Sequence, residues 1–221
     1  MMVELGTMNT QTAIGQGVVS ISDNASYNCS SYTGSTASLG NTTGQATKTI
    51  NEIGGTETTY DTSGKLSITY RGVENPWGNI WKHIQGINIW GDGTMGGGQP
   101  YIANNFVFDE SKNDDNYEPV GFTLPDSIGY ISAMGYGSKK FDWLLMPSET
   151  WGTNALPVGD YCYVTSDLSG YRIALFGDRW LYGTTAGGFA WNCHSGVGVG
   201  TRSIGGRLSY TPTGKSTTTK S

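Results

Sequence analysis

From residue 66 onward the large apolar side chains come in short runs that alternate with polar ones and are cut by Gly, Pro, Asn or Asp. Leu66-Ser67-Ile68-Thr69-Tyr70 and Gly86-Ile87-Asn88-Ile89-Trp90 are the clearest. A period of two places alternate side chains on opposite faces of a strand. Further strands are expected at Phe106-Val107-Phe108, Phe141 to Met146, Tyr161-Cys162-Tyr163-Val164, Tyr171 to Phe176, Gly188 to Asn192 and Arg207 to Tyr210. No stripe at helical spacing runs longer than two turns. Segment 79–85, with Ile80 and Ile84, is the one place where a short helix competes, and strand is the reading favoured there.

Composition points the same way. Gly, Ser, Thr and Asn make 96 of the 221 residues, and all four favour turns and caps over helix interiors. The 26 aromatic residues supply enough apolar surface to hold a folded core, so the chain is not a disordered one. The expected class is mainly β, with long loops and little helix.

Large side chains are unevenly spread. All seven Trp and all six Phe lie from Trp77 onward, whereas 1–70 is rich in Thr, Ser and Gly, with turn clusters at Gly34-Ser35-Thr36 and at 40–44. The 1–70 part has too few large apolar groups to fold alone and is expected as short strands and surface loops packed on, or leading into, a core at 71–210. The Thr/Ser/Lys-rich 211–221 reads as a flexible tail. Loops at 91–105, 109–121, 147–159 and 177–187 exceed ordinary hairpin length, and long loops on a β frame usually carry function.

Several function classes fall away. A net charge of −5 with scattered Lys and Arg does not suit nucleic acid, so none is expected as a partner. No apolar run approaches the ~18 residues of a membrane span, and no membrane insertion is expected. Three cysteines at 29, 162 and 193 form no disulfide or zinc pattern. Hydrolase elbows, zincin helices and phosphate loops are missing, and the two histidines, His83 and His194, leave little acid–base chemistry. His83 reads as a partly buried histidine. Asp109, Glu110, Asp114, Asp115 and Glu118 lack calcium-loop spacing and are expected as a solvated acidic loop. No metal, cofactor or catalytic residue is assigned. The Asn-x-Ser/Thr triplets at Asn24, Asn28 and Asn41 are what chance produces in so Ser- and Thr-rich a segment.

The C-terminal third carries the most specific pattern. Trp180, Gly183, Ala186, Gly187, Phe189 and Trp191 spell W-x-x-G-x-x-A-G-x-F-x-W, and Ile204-Gly205-Gly206-Arg207-Leu208 follows after a gap. Upstream stands Gly78-Asn79-Ile80-Trp81-Lys82, beside Trp77. In this order the motifs resemble the C-type lectin-like fold of the formylglycine-generating-enzyme type, over about residues 70–210. Within that superfamily the chain looks like the phage tail-fibre receptor-binding proteins, and most of all like retroelement-diversified variable proteins of the major-tropism-determinant kind. The 78–82 segment is similar to that superfamily's G-N-V-W-E strand, and 205–208 to its G-F-R-L strand.

The resemblance implies non-catalytic binding of a host cell-surface receptor, protein or glycan, by a virion protein of the tail fibre. A homotrimer is the assembly expected, and the abrupt start at Met1-Met2-Val3 leaves room for fibre sequence upstream. Trp77, Trp81, Trp180, Phe189 and Trp191 would be frame. The interleaved side chains would form the solvent-facing ligand surface: Arg179, Leu181, Tyr182, Thr184, Thr185, Ala190, Asn192, His194, Ser195, Val197, Val199, Thr201 and Arg202. Enzymes of the superfamily use a close cysteine pair or a histidine cluster, which Cys162, Cys193 and the two histidines do not supply. Two other readings stay open: a bacterial surface adhesin or carbohydrate-binding module, and a purely structural virion component in which 192–203 meets a neighbouring subunit.

Overall fold

The computed structural model describes residues 8–10, 14–18, 30–47, 49–53, 56–60, 66–105, 108–109 and 115–207. Among them the fold is mainly β, and no helix reaches seven residues. The first strands are short: β1 (Gly44–Gln45), β2 (Thr49–Ile53), β3 (Thr56–Tyr60), β4 (Ile68–Tyr70) and β5 (Val73–Glu74). β2 and β3 pair as an antiparallel hairpin, and β1, β4 and β5 form a small three-stranded sheet.

The rest of the chain builds the main sheet. Its strands include β6 (Trp81–Asp92), β7 (Gln99–Ala103), β8 (Tyr117–Pro119) and β9 (Gly129–Tyr130). A two-stranded side sheet, β10 (Ala133–Met134) with β11 (Pro147–Glu149), interrupts the order. Then come β12 (Tyr161–Tyr163), β13 (Ser169–Phe176), β14 (Trp191–Asn192) and β15 (Ile204–Gly205). The eight main strands run β8-β7-β6-β13-β14-β12-β9, with β15 laid parallel on the first residues of β6.

β13 is apolar on both sides because it is central and covered on both. Ile173 and Leu175 pack with Trp81, Tyr163 and Ile204 on one face. Ala174 and Phe176 join the larger cluster of Ile89, Ile131, Met146, Leu168 and Phe189 on the other. β6 and β13 pair antiparallel from Ser169↔Asp92 to Phe176↔Lys82, with a shift between Ile173↔Asn88 and Ala174↔Ile84. The extra β6 residues bulge at Gly86, where φ is +87° and a Cβ would lie 2.8 Å from the Phe108 ring. Only glycine fits that backbone without strain.

Described N-terminal residues are tied to this core. Asn9 Nδ2 donates to the Ala155 carbonyl (2.9 Å), and Gln16 Nε2 to that of Gly183 (2.7 Å). The Asn79 amide donates to Val18 O (2.8 Å). Val18 packs with Trp180 and Ile80.

Several expected elements differ. The strand expected at Phe141 to Met146 is instead a 3-10 turn at Lys139–Phe141 followed by irregular chain. Phe141, Leu144 and Met146 are buried, and the Leu144 amide donates back to Phe141 O (3.0 Å), so the apolar positions turn inward at i and i+3. Three supposed loops contain β7, β8 and β11. Pro100, Pro119 and Pro147 lie in those strands; proline reads as a strand breaker, and β8 and β11 are edge strands that tolerate it. Of Gly188 to Asn192 only Trp191–Asn192 is strand, because the Ala190 amide closes a turn onto Gly187 O (3.2 Å). The last strand sits at Ile204–Gly205; Arg207 lies outside it, and 208–210 fall outside the described residues. Phe106 and Val107 do as well, and Phe108 is not in a strand.

Trp77 is 1% exposed and donates its indole N–H to Gly15 O (2.9 Å), joining the N-terminal segment to the core. Trp77→Ala should lower the unfolding free energy by about 3–5 kcal/mol. Trp77→Phe, which keeps most of the volume, should cost clearly less. Denaturant titration followed by circular dichroism reads both, and equal stability of Trp77→Ala and wild type would contradict the packing role.

Candidate ligand surface

Alternation on β12 and β14 separates frame from face. Cys162, Trp191 and Cys193 enter the larger cluster. Tyr161, Tyr163, Asn192 and His194 occupy the positions between them, and so fall on the opposite side of the sheet. Cys162 and Cys193 are free and buried, and burial pushes both thiols up, which keeps them protonated.

The opposite side holds a chain of aromatic rings. Tyr130 meets Tyr161 edge-on at 4.8 Å, Tyr161 lies 4.9 Å from Tyr163, and Tyr163 lies 5.6 Å from Tyr182. Trp81 and His194 both approach Tyr163 edge-to-face, at 5.9 and 6.2 Å. The Arg179 guanidinium sits 4.7 Å above the Tyr182 ring and donates to its hydroxyl (3.0 Å) and to Ser203 Oγ (2.8 Å). Offset and edge-on pairs of this kind add about 0.5–1.5 kcal/mol each beyond burial.

Asp178 organises the turn that carries these groups. It is fully buried at the end of β13 and accepts from the Arg179 amide (2.7 Å), the Thr185 hydroxyl (2.7 Å) and the Tyr163 hydroxyl (3.5 Å). The Tyr163 hydroxyl also donates to Thr185 Oγ1 (3.1 Å), and Thr184 Oγ1 lies 2.9 Å from the Tyr130 hydroxyl. Burial raises the Asp178 pKa to about 6, against the opposing pull of those hydrogen bonds and of the Arg179 charge. Burial and the nearby Asp178 push the Tyr163 phenol up, and burial does the same for Tyr161. At neutral pH Tyr161 and Tyr163 therefore present phenol hydroxyls and ring faces, not phenolates. Burial, then the Arg172 charge, lowers the His194 pKa, so His194 is neutral there as well.

The thirteen expected surface positions divide three ways. Leu181, Tyr182, Thr184, His194, Val197, Val199, Thr201 and Arg202 are exposed. Arg179, Thr185 and Ser195 are half-buried. Ala190 and Asn192 are corrections: both are buried, Ala190 completely and Asn192 at 7% exposure. Ala190 lies in the Gly187 turn, with its carbonyl taken by the Gly177 amide (2.8 Å). Asn192 spends its Oδ1 on the His194 amide (3.2 Å) and the Ser195 hydroxyl (3.0 Å), stabilising the turn that displays them.

The structure brings Tyr182, Thr185 and His194 onto Tyr163, with Arg179 joined through Tyr182 and Thr184 through Tyr130. Thr201 joins through Ser203 (2.8 Å), and the Arg202 guanidinium lies 5.9 Å over the Trp180 ring. Val197 and Val199 lie on the neighbouring 196–200 turn and make no hydrogen-bonded side-chain link to the cluster. Tyr130, Tyr161 and Tyr163 were missed as face residues. The alternation of Tyr161-Cys162-Tyr163 with a buriable Cys between was the available signal. Among the described residues no group of three or more His, Cys, Asp or Glu is placed to hold a metal ion, and no helix is long and apolar enough to cross a membrane. Asp109, Asp115 and Glu118 of the acidic segment are described, Asp115 exposed and Glu118 paired to Lys140, while Glu110 and Asp114 fall outside the described residues.

No family model, curated protein or solved structure matches this chain.

Folded Asp178 takes up its proton near pH 6, and an unfolded Asp does so near 3.9. Between those values the folded chain binds more protons than the unfolded one, so stability falls as pH rises through the window. Asp178→Asn removes this penalty while an amide can still accept from Arg179. Its stability relative to wild type should therefore improve from pH 4 to pH 7 by roughly 2 kcal/mol. Denaturant midpoints across that range test it, and a difference between the two proteins that does not change with pH would refute it.

Proposed function

We propose that the chain is a non-catalytic ligand-binding domain of C-type lectin-like fold, acting as a receptor-binding protein of a phage tail fibre. The observation that carries the reading is the split within 179–202. Trp180, Phe189 and Trp191 are buried in the frame, while Leu181, Tyr182, Thr184, His194 and Arg202 stand outside it. A rigid frame with aromatic, guanidinium, imidazole and hydroxyl groups displayed on it suits adaptable recognition of a protein or glycan. Exposed positions of this kind tolerate substitution without loss of the core, which fits a surface varied by a retroelement.

One such face is modest, and useful adhesion comes from several copies held together. Linked copies raise avidity by ~10²–10⁴ without new contacts. A homotrimer in the virion supplies that arrangement, with a host-cell surface receptor as partner. A second reading, as a carbohydrate-binding module or adhesin, draws support from Trp151, which is 83% exposed beside Asp126 and Glu149 in a surface cleft. An indole so placed suits stacking against a sugar ring.

Replacing Tyr182, His194 and Arg202 together by Ala should weaken binding of the purified chain to bacterial envelope preparations at least tenfold, with an unchanged circular dichroism spectrum. Unaltered binding by a folded triple variant would overturn the assignment of the face. Loss on Trp151→Ala instead, with inhibition by a simple saccharide, would move the site to the cleft. Light scattering of the intact chain should return the mass of three copies.

A further inference from the structure

Lys82 does not belong to the tyrosine face. It sits on β6 at 8% exposure, and its Nζ donates to the Gly78 carbonyl. An ammonium carries three donors, and no second acceptor for it is present among the described residues. The side chain borders a cavity of about 290 Å³ whose other walls include Glu74, Asn79, Gly205 and Arg207. That volume is at the lower end for small-molecule sites, which run from about 300 to 1,000 Å³.

The charges around this cavity do not cancel. Arg207, across from Lys82, donates through Nη2 to the carbonyls of Glu74 and Asn75, which leaves its other N–H groups uncommitted. The Glu74 carboxylate is turned to the 34–36 loop, where it accepts from the Gly34 amide (2.8 Å), the Thr36 amide (2.7 Å) and the Thr36 hydroxyl (2.8 Å). Asp178 is close enough to favour the Lys82 charge but is spent on Arg179, Thr185 and Tyr163, and it makes no ion pair with Lys82. Burial, then the Arg207 charge, holds the Lys82 pKa well below its ordinary value. A buried cation beside a second cation is costly unless an anion shares the site. Asn79 adds a neutral donor: its Oδ1 accepts from the Ser31 amide (2.9 Å), leaving Nδ2 for a ligand.

We propose that this cavity is an anion-binding site in which Lys82, Arg207 and Asn79 receive the carboxylate or phosphate group of a small ligand. Both groups offer what the walls lack, a compact set of acceptor oxygens with negative charge. The inference is independent of the receptor reading, because none of the three residues lies among the exposed aromatic groups.

Thermal unfolding of the intact chain tests it, with acetate and inorganic phosphate titrated separately at an ionic strength held constant with sodium chloride, and glycerol as the neutral control. A ligand that binds only the folded state raises the midpoint with concentration. At least one of the two anions should do so in wild type, saturably, and which one does separates carboxylate from phosphate. Lys82→Met should abolish the response, and Arg207→Gln should weaken the apparent affinity about tenfold or more. Should Lys82→Met fail to fold, amide shifts of Gly78, Lys82, Gly205 and Gly206 in a phosphate or acetate titration of wild type replace it. No rise with either anion above the chloride background, the same rise in Arg207→Gln, or amide shifts confined to other parts of the molecule would each overturn the proposal.

Discussion

The pairing of β6 with β13 sets the geometry of everything beside it. These two strands carry the longest ladder of the main sheet, running from Ser169↔Asp92 to Phe176↔Lys82, and each side of β13 is buried against a different cluster. A central strand sealed on both faces cannot slip by one residue, because the slip would exchange Ile173 and Leu175 with Ala174 and Phe176. The bulge at Gly86 restores the alternation after the extra β6 residues. From that fixed register, β14 is placed by Leu175↔Asn192 and Phe176↔Trp191, and β12 by Cys162↔Trp191. The side of the sheet on which Tyr161, Tyr163 and His194 emerge is thereby decided two strands away.

Between β13 and β14 the chain has little regular structure, and two buried carboxylates take its place. Asp178 holds the start of the segment through the Arg179 amide and the Thr185 hydroxyl. Asp160 holds its end through the Phe189 amide (2.6 Å), while Thr10 Oγ1, 3.5 Å from Asp160, accepts from the Gly188 amide (2.9 Å). Burial pushes the Asp160 carboxyl well up, as it does Asp178. Gly187 is required by that arrangement, since a Cβ there would stand 2.1 Å from Asp160 Oδ1. Side-chain acceptors thus do locally what a ladder of backbone bonds does in the sheet, and they exact a dependence on pH that a ladder does not.

Much of the frame was legible in the sequence. The alternation in Gly86 to Trp90 and the apolar run at Tyr171 to Phe176 found the two strands that matter most, and the burial of Trp77, Trp81, Trp180, Phe189 and Trp191 followed from their size. What failed had physical causes. Pro100, Pro119 and Pro147 disguised three strands as loop, because the pairing partner that tolerates a missing N–H is not visible along the chain. Phe141 to Met146 reads as a strand by composition, and only the turn from Leu144 back to Phe141 shows which side chains point inward. Within the face, strict interleaving broke at Ala190, where the backbone turns, and at Asn192, whose amide is consumed by His194 and Ser195. Asp178 and Asp160 carried no motif at all. Their role exists only once the chain has brought 163, 185 and 189 beside them.

The face that results has two unlike halves. Tyr163, Arg179, Tyr182 and Thr185 are bound to one another by rings and hydrogen bonds, and Tyr182 contacts both the Arg179 guanidinium and the Tyr163 ring although it remains exposed. Side chains fixed in this way have already lost most of their freedom, so under the proposed function little further ordering would oppose binding. Leu181, Val197 and Val199 are exposed without such ties, and ordering them costs more per contact. On the proposed ligand-binding reading, recognition would start from this rigid aromatic part. On the same reading, substitutions in the looser rim would leave the ring and hydrogen-bond contacts that hold the tyrosines intact.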